Sequence, residues 1–408
     1  MVSDQARPAR ILTRNKFSHL RATVGAPTLS LDSIERQHNY LSCFVFLVVD
    51  QVVESHEKSV MASRFRWAVA AMTIFPISVC ARSLWAQATS STSAQPVVVP
   101  LTMVETAKQT DKAMLQVGVG TLQPLSIPVD TGSVGLVLFA TPGIPGNETS
   151  CSSKPISISY GNPLRVTYSG VICNGSIDLA GVIATPRIPF ALLTSTTFCA
   201  PQNQCKTPQQ NYADGNYGVF GVGISPGDDL PNPLRTLPGP YGKRFMFRLN
   251  ANVSKPSSLI LAAHWRFDAA VFPQFEQTTG ALGLPVYDKG QGCILVNEQP
   301  TSVCPMVSFD TGNGVPWLHV TIPNLPTITG ANGDIYVAPG TTIGVAPRLG
   351  GPAAVSLVAG NTFATEFRYA DQKSNLINVS IQAFLGNDVI YDGEQGVITV
   401  APTPVNHD

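Results

Sequence analysis

From residue 97 onward the chain alternates short apolar stretches with breaks at Gly and Pro, and no stretch carries a helical period over several turns. In the first part the stretches are 97–99, 114–119 and 125–129; later they recur at 245–249, 259–262, 306–309, 379–384 and 397–400. They are β-branched or alternating and only a few residues long, which is the pattern of strands. Many short strands with punctuating turns predict an all-β fold of sandwich or barrel-like sheets rather than a parallel α/β sheet.

The first 95 residues have a different texture. Arg64 and Arg66 precede an apolar run at 67–81 that contains Pro76, and Ala86-Gln87-Ala88 follows as a small-x-small step. Charge, apolar run and small-residue site in that order predict a secretory signal at 61–88, with Met61 as the start and 1–60 as an upstream extension. The apolar run is shorter than the roughly 20 residues that span a bilayer, so no stable span is expected after cleavage. Residues 89–96 read as a Ser/Thr-rich linker. The expected destination is the exterior or the periplasm.

A sparse repeat lies inside the strand pattern. Residues 125–129 run into Asp130-Thr131-Gly132-Ser133, and 305–309 run into Asp310-Thr311-Gly312-Asn313. Each copy is followed downstream by two apolar residues and Gly: Val219-Phe220-Gly221 in the first half and Phe384-Leu385-Gly386 in the second. A strand ending in Asp-Thr-Gly presents a carboxylate on a tight turn, where Gly admits close backbone approach and the Thr hydroxyl can bond an opposing loop. Two such turns facing each other would bring Asp130 and Asp310 side by side. Like charges that close share one proton. The ionised member can then take a proton from an attacking water while the protonated member donates to an amide carbonyl.

In these features the chain resembles the pepsin-like aspartic peptidases, over roughly residues 97–402. The stretch 118–124 is similar to the family's segment before its first catalytic Asp, Asp214-Gly215 with 218–223 to its Asp-Gly-Ile-Leu-Gly-Leu stretch, 245–249 to the strand entering its second lobe, and 384–387 with 397–402 to its closing segment. The resemblance implies a bilobal fold of two related β-barrel-like lobes, 97–245 and 246–408, with a substrate cleft between them. It implies Asp130 and Asp310 as the catalytic dyad, supported by Thr131, Gly132, Ser133, Thr311, Gly312 and Asn313, and a β-hairpin flap over the cleft. The flap Tyr is expected at Tyr168, with Tyr160 as the rival. The expected activity is endopeptidase cleavage of peptides or unfolded proteins by a monomer without metal or other cofactor. The chain departs from the family at Asn313, where the family has Ser or Thr whose hydroxyl bonds the outer carboxylate oxygen. No basic inhibitory prosegment fits between Ala88 and Val97. These departures keep a second reading open: a catalytically silent protein that retains a peptide-binding cleft.

Charge and composition narrow the remaining classes. Charged residues make up 13% of the chain and balance to zero, without a basic cluster, so a nucleic-acid partner is not expected. Of eight Cys, six follow the signal. An even number in an exported chain favours disulfides, and neighbour pairing predicts Cys151–Cys173, Cys199–Cys205 and Cys293–Cys304 among the possible pairings. The residues 223–227 match G-x-S-x-G, but Pro226 follows the Ser and has no N–H for an oxyanion. His264 and His319 are isolated and read as structural, and Trp317 as a core or lobe-interface aromatic. Asn147, Asn174, Asn252 and Asn378 each open an N-x-S/T sequon.

Overall fold

The alternation that predicts strands is realised in the first of them. In Val97–Glu105, the side chains of Val99, Leu101 and Met103 are buried while Val98, Pro100 and Thr102 face outward. The computed structural model describes residues 94–105, 111–120, 123–140, 149–160, 166–199, 216–225, 229–252, 254–264, 268–331, 333–362, 365–369 and 374–404. The expected signal at 61–88, its upstream extension and most of the linker lie outside these residues.

Among the described residues the structure is mostly strand, and its helices are short 3-10 turns. The largest sheet draws strands from both ends of the chain. Val97–Glu105 pairs along one stretch with Ser257–Leu261 and along the next with Asp111–Val119. Ser257–Leu261 continues through Arg244–Arg248 to the hairpin of Asn387–Asp392 and Val397–Pro402. The expected boundary at 245/246 thus falls within strand Arg244–Arg248. None of the sheets closes on itself, so the strands form open layers rather than barrels.

Two local arrangements recur and place the Asp-Thr-Gly turns. Leu125–Asp130 is paired in parallel by Gly218–Val222, which is in turn paired antiparallel by Val134–Phe139. Met306–Ser308 is paired in parallel by Leu376–Asn378, which is paired antiparallel by Trp317–His319. In each case a strand that leads into Asp has a sequence-distant strand inserted beside it.

This pairing corrects two expectations. The predicted strand at 379–384 is not one: the strand is Leu376–Asn378, and Ile381–Phe384 is a 3-10 turn. Phe384-Leu385-Gly386 is therefore not the counterpart of Val219-Phe220-Gly221. Gly221 lies opposite Asp130, and in the second half the register Ser308↔Asn378 brings Ser380 to the corresponding place. The reason is steric. A Cβ on Gly221 would collide with the Gly135 carbonyl and Ser133 Oγ. At the second site a Ser is accommodated at φ 55°, with its Oγ accepting from Gln382 N. Phe384 instead turns into the core and meets Phe247 edge-on at 6.1 Å.

Buried aromatics lie beneath this region. Phe245 stacks on Tyr391 at 5.3 Å, and Phe247 meets Tyr391 edge-on at 6.1 Å. Disulfides join Cys151 to Cys173 and Cys293 to Cys304, as neighbour pairing predicts; the expected Cys199–Cys205 pair lies outside the described residues.

Candidate active site

Each Asp-Thr-Gly turn is too short to satisfy its own backbone, and the two satisfy one another. Thr131 N donates to Thr311 Oγ1 at 3.1 Å and Thr311 N donates to Thr131 Oγ1 at 2.9 Å. The hydroxyls pass their protons across to the opposite strand ends, Thr131 Oγ1 to Phe309 O at 2.8 Å and Thr311 Oγ1 to Val129 O at 2.7 Å. Both Thr side chains are buried. Residues 180 apart in sequence are thus locked by reciprocal bonds in a dry setting, where an unmade bond is costly.

This lock sets the carboxylates face to face. A Cβ on Gly132 would strike the Asp310 carboxylate, and one on Gly312 would strike that of Asp130. Glycine is required at both positions because each turn passes directly over the other's carboxyl group. Asp130 Oδ1 accepts from Gly132 N at 2.7 Å and its Oδ2 from Ser133 Oγ at 2.6 Å. Asp310 Oδ1 accepts from Gly312 N at 2.9 Å. The Asp310 carboxyl is pushed up to about 7, first by desolvation and then by the charge of Asp130, with a hydrogen bond between the two carboxyls adding to the rise. Bonds from Asn378 and Gly312 act the other way. One proton held by a close acid pair is the expected electrostatic outcome.

Asn313 does not take the place of the absent hydroxyl. Its Oδ1 accepts from Val315 N at 3.4 Å within its own turn, and its N donates to Asp310 O at 3.3 Å. The outer oxygen of Asp310 is bonded by Asn378 Nδ2, at 2.7 Å. The sequence reading places Asn378 only in a sequon; nothing in its neighbours marks it, because its place depends on the parallel pairing of Leu376–Asn378 with Met306–Ser308. Tyr391 is likewise missed: it is buried and donates to Phe309 O at 2.9 Å, directly behind Asp310. Burial raises its phenol above the usual range.

The hairpin of Ser150–Tyr160 and Val166–Gly175 carries both Tyr candidates, and they are placed differently. Tyr168 is buried, packed edge-on against Phe139 at 5.4 Å. Tyr160, at the last paired position before the hairpin tip, lines a pocket of about 170 Å³ with Asp130, Gly312, Val219 and Pro128. Lys112, from the strand Asp111–Val119, brings an ammonium group to the same pocket. Tyr168 fills the core next to Phe139, while Tyr160 stands at the end of its paired stretch, at the pocket rim.

Trp317 stands opposite Asn378 in the sheet, stacked on His319 at 5.6 Å, with the Arg368 guanidinium 5.1 Å from its ring centre. No group of three His, Cys, Asp or Glu is gathered for a metal among the described residues. No protein-family model matches the chain, and no curated protein matches it either.

Proposed function

We propose that the chain is a pepsin-like aspartic endopeptidase, exported by its 61–88 signal, with two related lobes and a peptide-binding cleft between them. The observation that carries the reading is the pair of reciprocally bonded Asp-Thr-Gly turns, which hold Asp130 and Asp310 against each other. In this reading a water bound between the carboxyls gives a proton to the ionised member as it attacks the peptide carbonyl. The protonated member donates to the carbonyl oxygen, giving a neutral gem-diol, and collapse with proton transfer to the amine breaks the C–N bond. The half-buried pocket beside Asp130 supports peptide binding: its walls are largely apolar, with Tyr160 at the rim and Lys112 in the lining. The two disulfides among the described residues are consistent with export.

The silent-cleft reading draws its strength from the missing hydroxyl at residue 313. Asn378 supplies a donor to the same oxygen, so that departure no longer favours inactivity.

The test is to incubate the full chain with an unfolded protein between about pH 3 and 7, with and without a statine-type transition-state analogue. Asp130→Asn and Asp310→Asn are run alongside. Cleavage by the native chain, blocked by the analogue and absent from both variants, is expected. Binding of the analogue without cleavage at any pH selects the silent reading, and cleavage that survives either substitution overturns the mechanism.

A further inference from the structure

Asn378 opens an Asn-Val-Ser sequon, yet both ends of its amide are engaged inside the molecule. Its Nδ2 donates to Asp310 Oδ2 at 2.7 Å, and its Oδ1 accepts from Ser380 N at 2.9 Å. Because a backbone N–H can only donate, Oδ1 must face Ser380, and Nδ2 must therefore face the carboxylate. Asp130 has a different partner for its outer oxygen, the hydroxyl of Ser133. A hydroxyl donates to a carboxylate but can turn and accept from a carboxylic acid; an amide NH₂ can only donate. The two outer oxygens of the pair are thus not equivalent: Asp130 Oδ2 can carry a proton and keep its bond, whereas Asp310 Oδ2 cannot.

We propose that Asn378 is the positioning residue of Asp310, holding its outer oxygen unprotonated so that the proton shared by the pair resides on the inner side, between the two carboxyl groups. The inference rests on reading the pair as a peptidase dyad. The direction agrees with the lowering influence of Asn378 on Asp310. The other ionisable groups around the pair are Asp130 across the contact, Tyr391 behind it and Lys112 at the pocket wall. His319 is on the strand beside Asn378 and Arg368 on the next one out, paired with Glu366 at 2.7 Å. None of these replaces the Asn378 donor at Asp310 Oδ2.

The experiment follows the Asp310 carboxyl by carbon NMR across pH in the full chain, in the native protein, Asn378→Leu and Asn378→Asp, with no substrate present. Thermal unfolding reports whether each variant is folded. Removing the donor is expected to raise the Asp310 midpoint by on the order of one pH unit. The alkaline limb of peptide cleavage should move with it. Asn378→Asp keeps the size and the acceptor for Ser380 N but adds a charge that itself raises Asp310, so the native NH₂ titration decides if Asn378→Leu does not fold. In the native chain alone, the Asn378 side-chain NH₂ resonances are expected to titrate at the Asp310 midpoint. An Asp310 midpoint unmoved in a folded variant, or NH₂ resonances insensitive to that titration, overturns the assignment. A shifted midpoint in a chain that cleaves nothing supports the assignment and overturns the peptidase reading instead.

Discussion

Thr311 holds the turns together through its backbone N–H and its hydroxyl. Thr311→Val keeps the shape and the backbone N–H but leaves Thr131 N and Val129 O buried without a partner. Each orphaned group costs about 1–3 kcal/mol, so a loss of about 2–6 kcal/mol is expected. Urea unfolding measures it, with Thr311→Ser, which keeps the hydroxyl, expected to lose much less. A second residue shows what the neighbourhood of the pair tolerates. Ser380 is held at φ 55° and ψ −171°, a region that L-residues rarely adopt and that costs about 1–3 kcal/mol. That strain lies two residues from Asn378, on the loop that presents its amide to Asp310.

Arg248 and the hairpin disulfide decide how firmly the elements around the site are held. Asp388 is fully buried in the strand Asn387–Asp392, and Arg248 bonds both of its oxygens, at 2.9 and 2.7 Å, from the neighbouring strand. Arg248→Leu removes both charged bonds from a buried carboxylate, so a loss of about 3–5 kcal/mol is expected in denaturant unfolding. The gain from forming the same pair is much smaller, because both ions were desolvated to make it. Cys151 and Cys173 face each other across the hairpin that carries Tyr160, and they close a separation of 22 residues. Cys151→Ser with Cys173→Ser should cost about 3 kcal/mol by loop-closure entropy. The bridge closes the end of the hairpin away from Tyr160, so cleavage should fall only in step with global stability; comparing cleavage with unfolding midpoints checks this.

For the molecule as a whole, the raised Asp310 carboxyl ties stability to pH. The folded form holds its proton up to about 7, while an unfolded Asp releases it near 3.8. Between those values the native state binds more protons than the unfolded state, so stability falls as pH rises. The contribution is complete below pH 3.8 and is lost by about 7, amounting to a few kcal/mol across that window. Asp310→Asn is expected to remove this slope, which urea midpoints at three pH values within the window would show. A slope that persists in Asp310→Asn would assign it to other groups. Cleavage should fall over the alkaline end of the same window, as the shared proton leaves.

The sequence by itself determined the strand-rich class, the two Asp-Thr-Gly turns and two of the disulfides. All of these follow from local signals: period-two patterning, turn residues, and cysteines that are neighbours in sequence. Only the tertiary structure decided which residues serve those turns. Residue 313 follows Asp310 in sequence but bonds its own turn, while Asn378 reaches Asp310 from a strand 68 residues away. Tyr160 and Tyr168 are both aromatic on one hairpin, and what separates them is the packing of Phe139 against one and the hairpin's end beside the other. The second apolar-apolar-Gly step matched in composition but not in register, because pairing between distant strands is set by which side chains can be buried together. A hydrogen-bond donor can be supplied by any strand that arrives at the right place, and a linear pattern does not record where strands arrive.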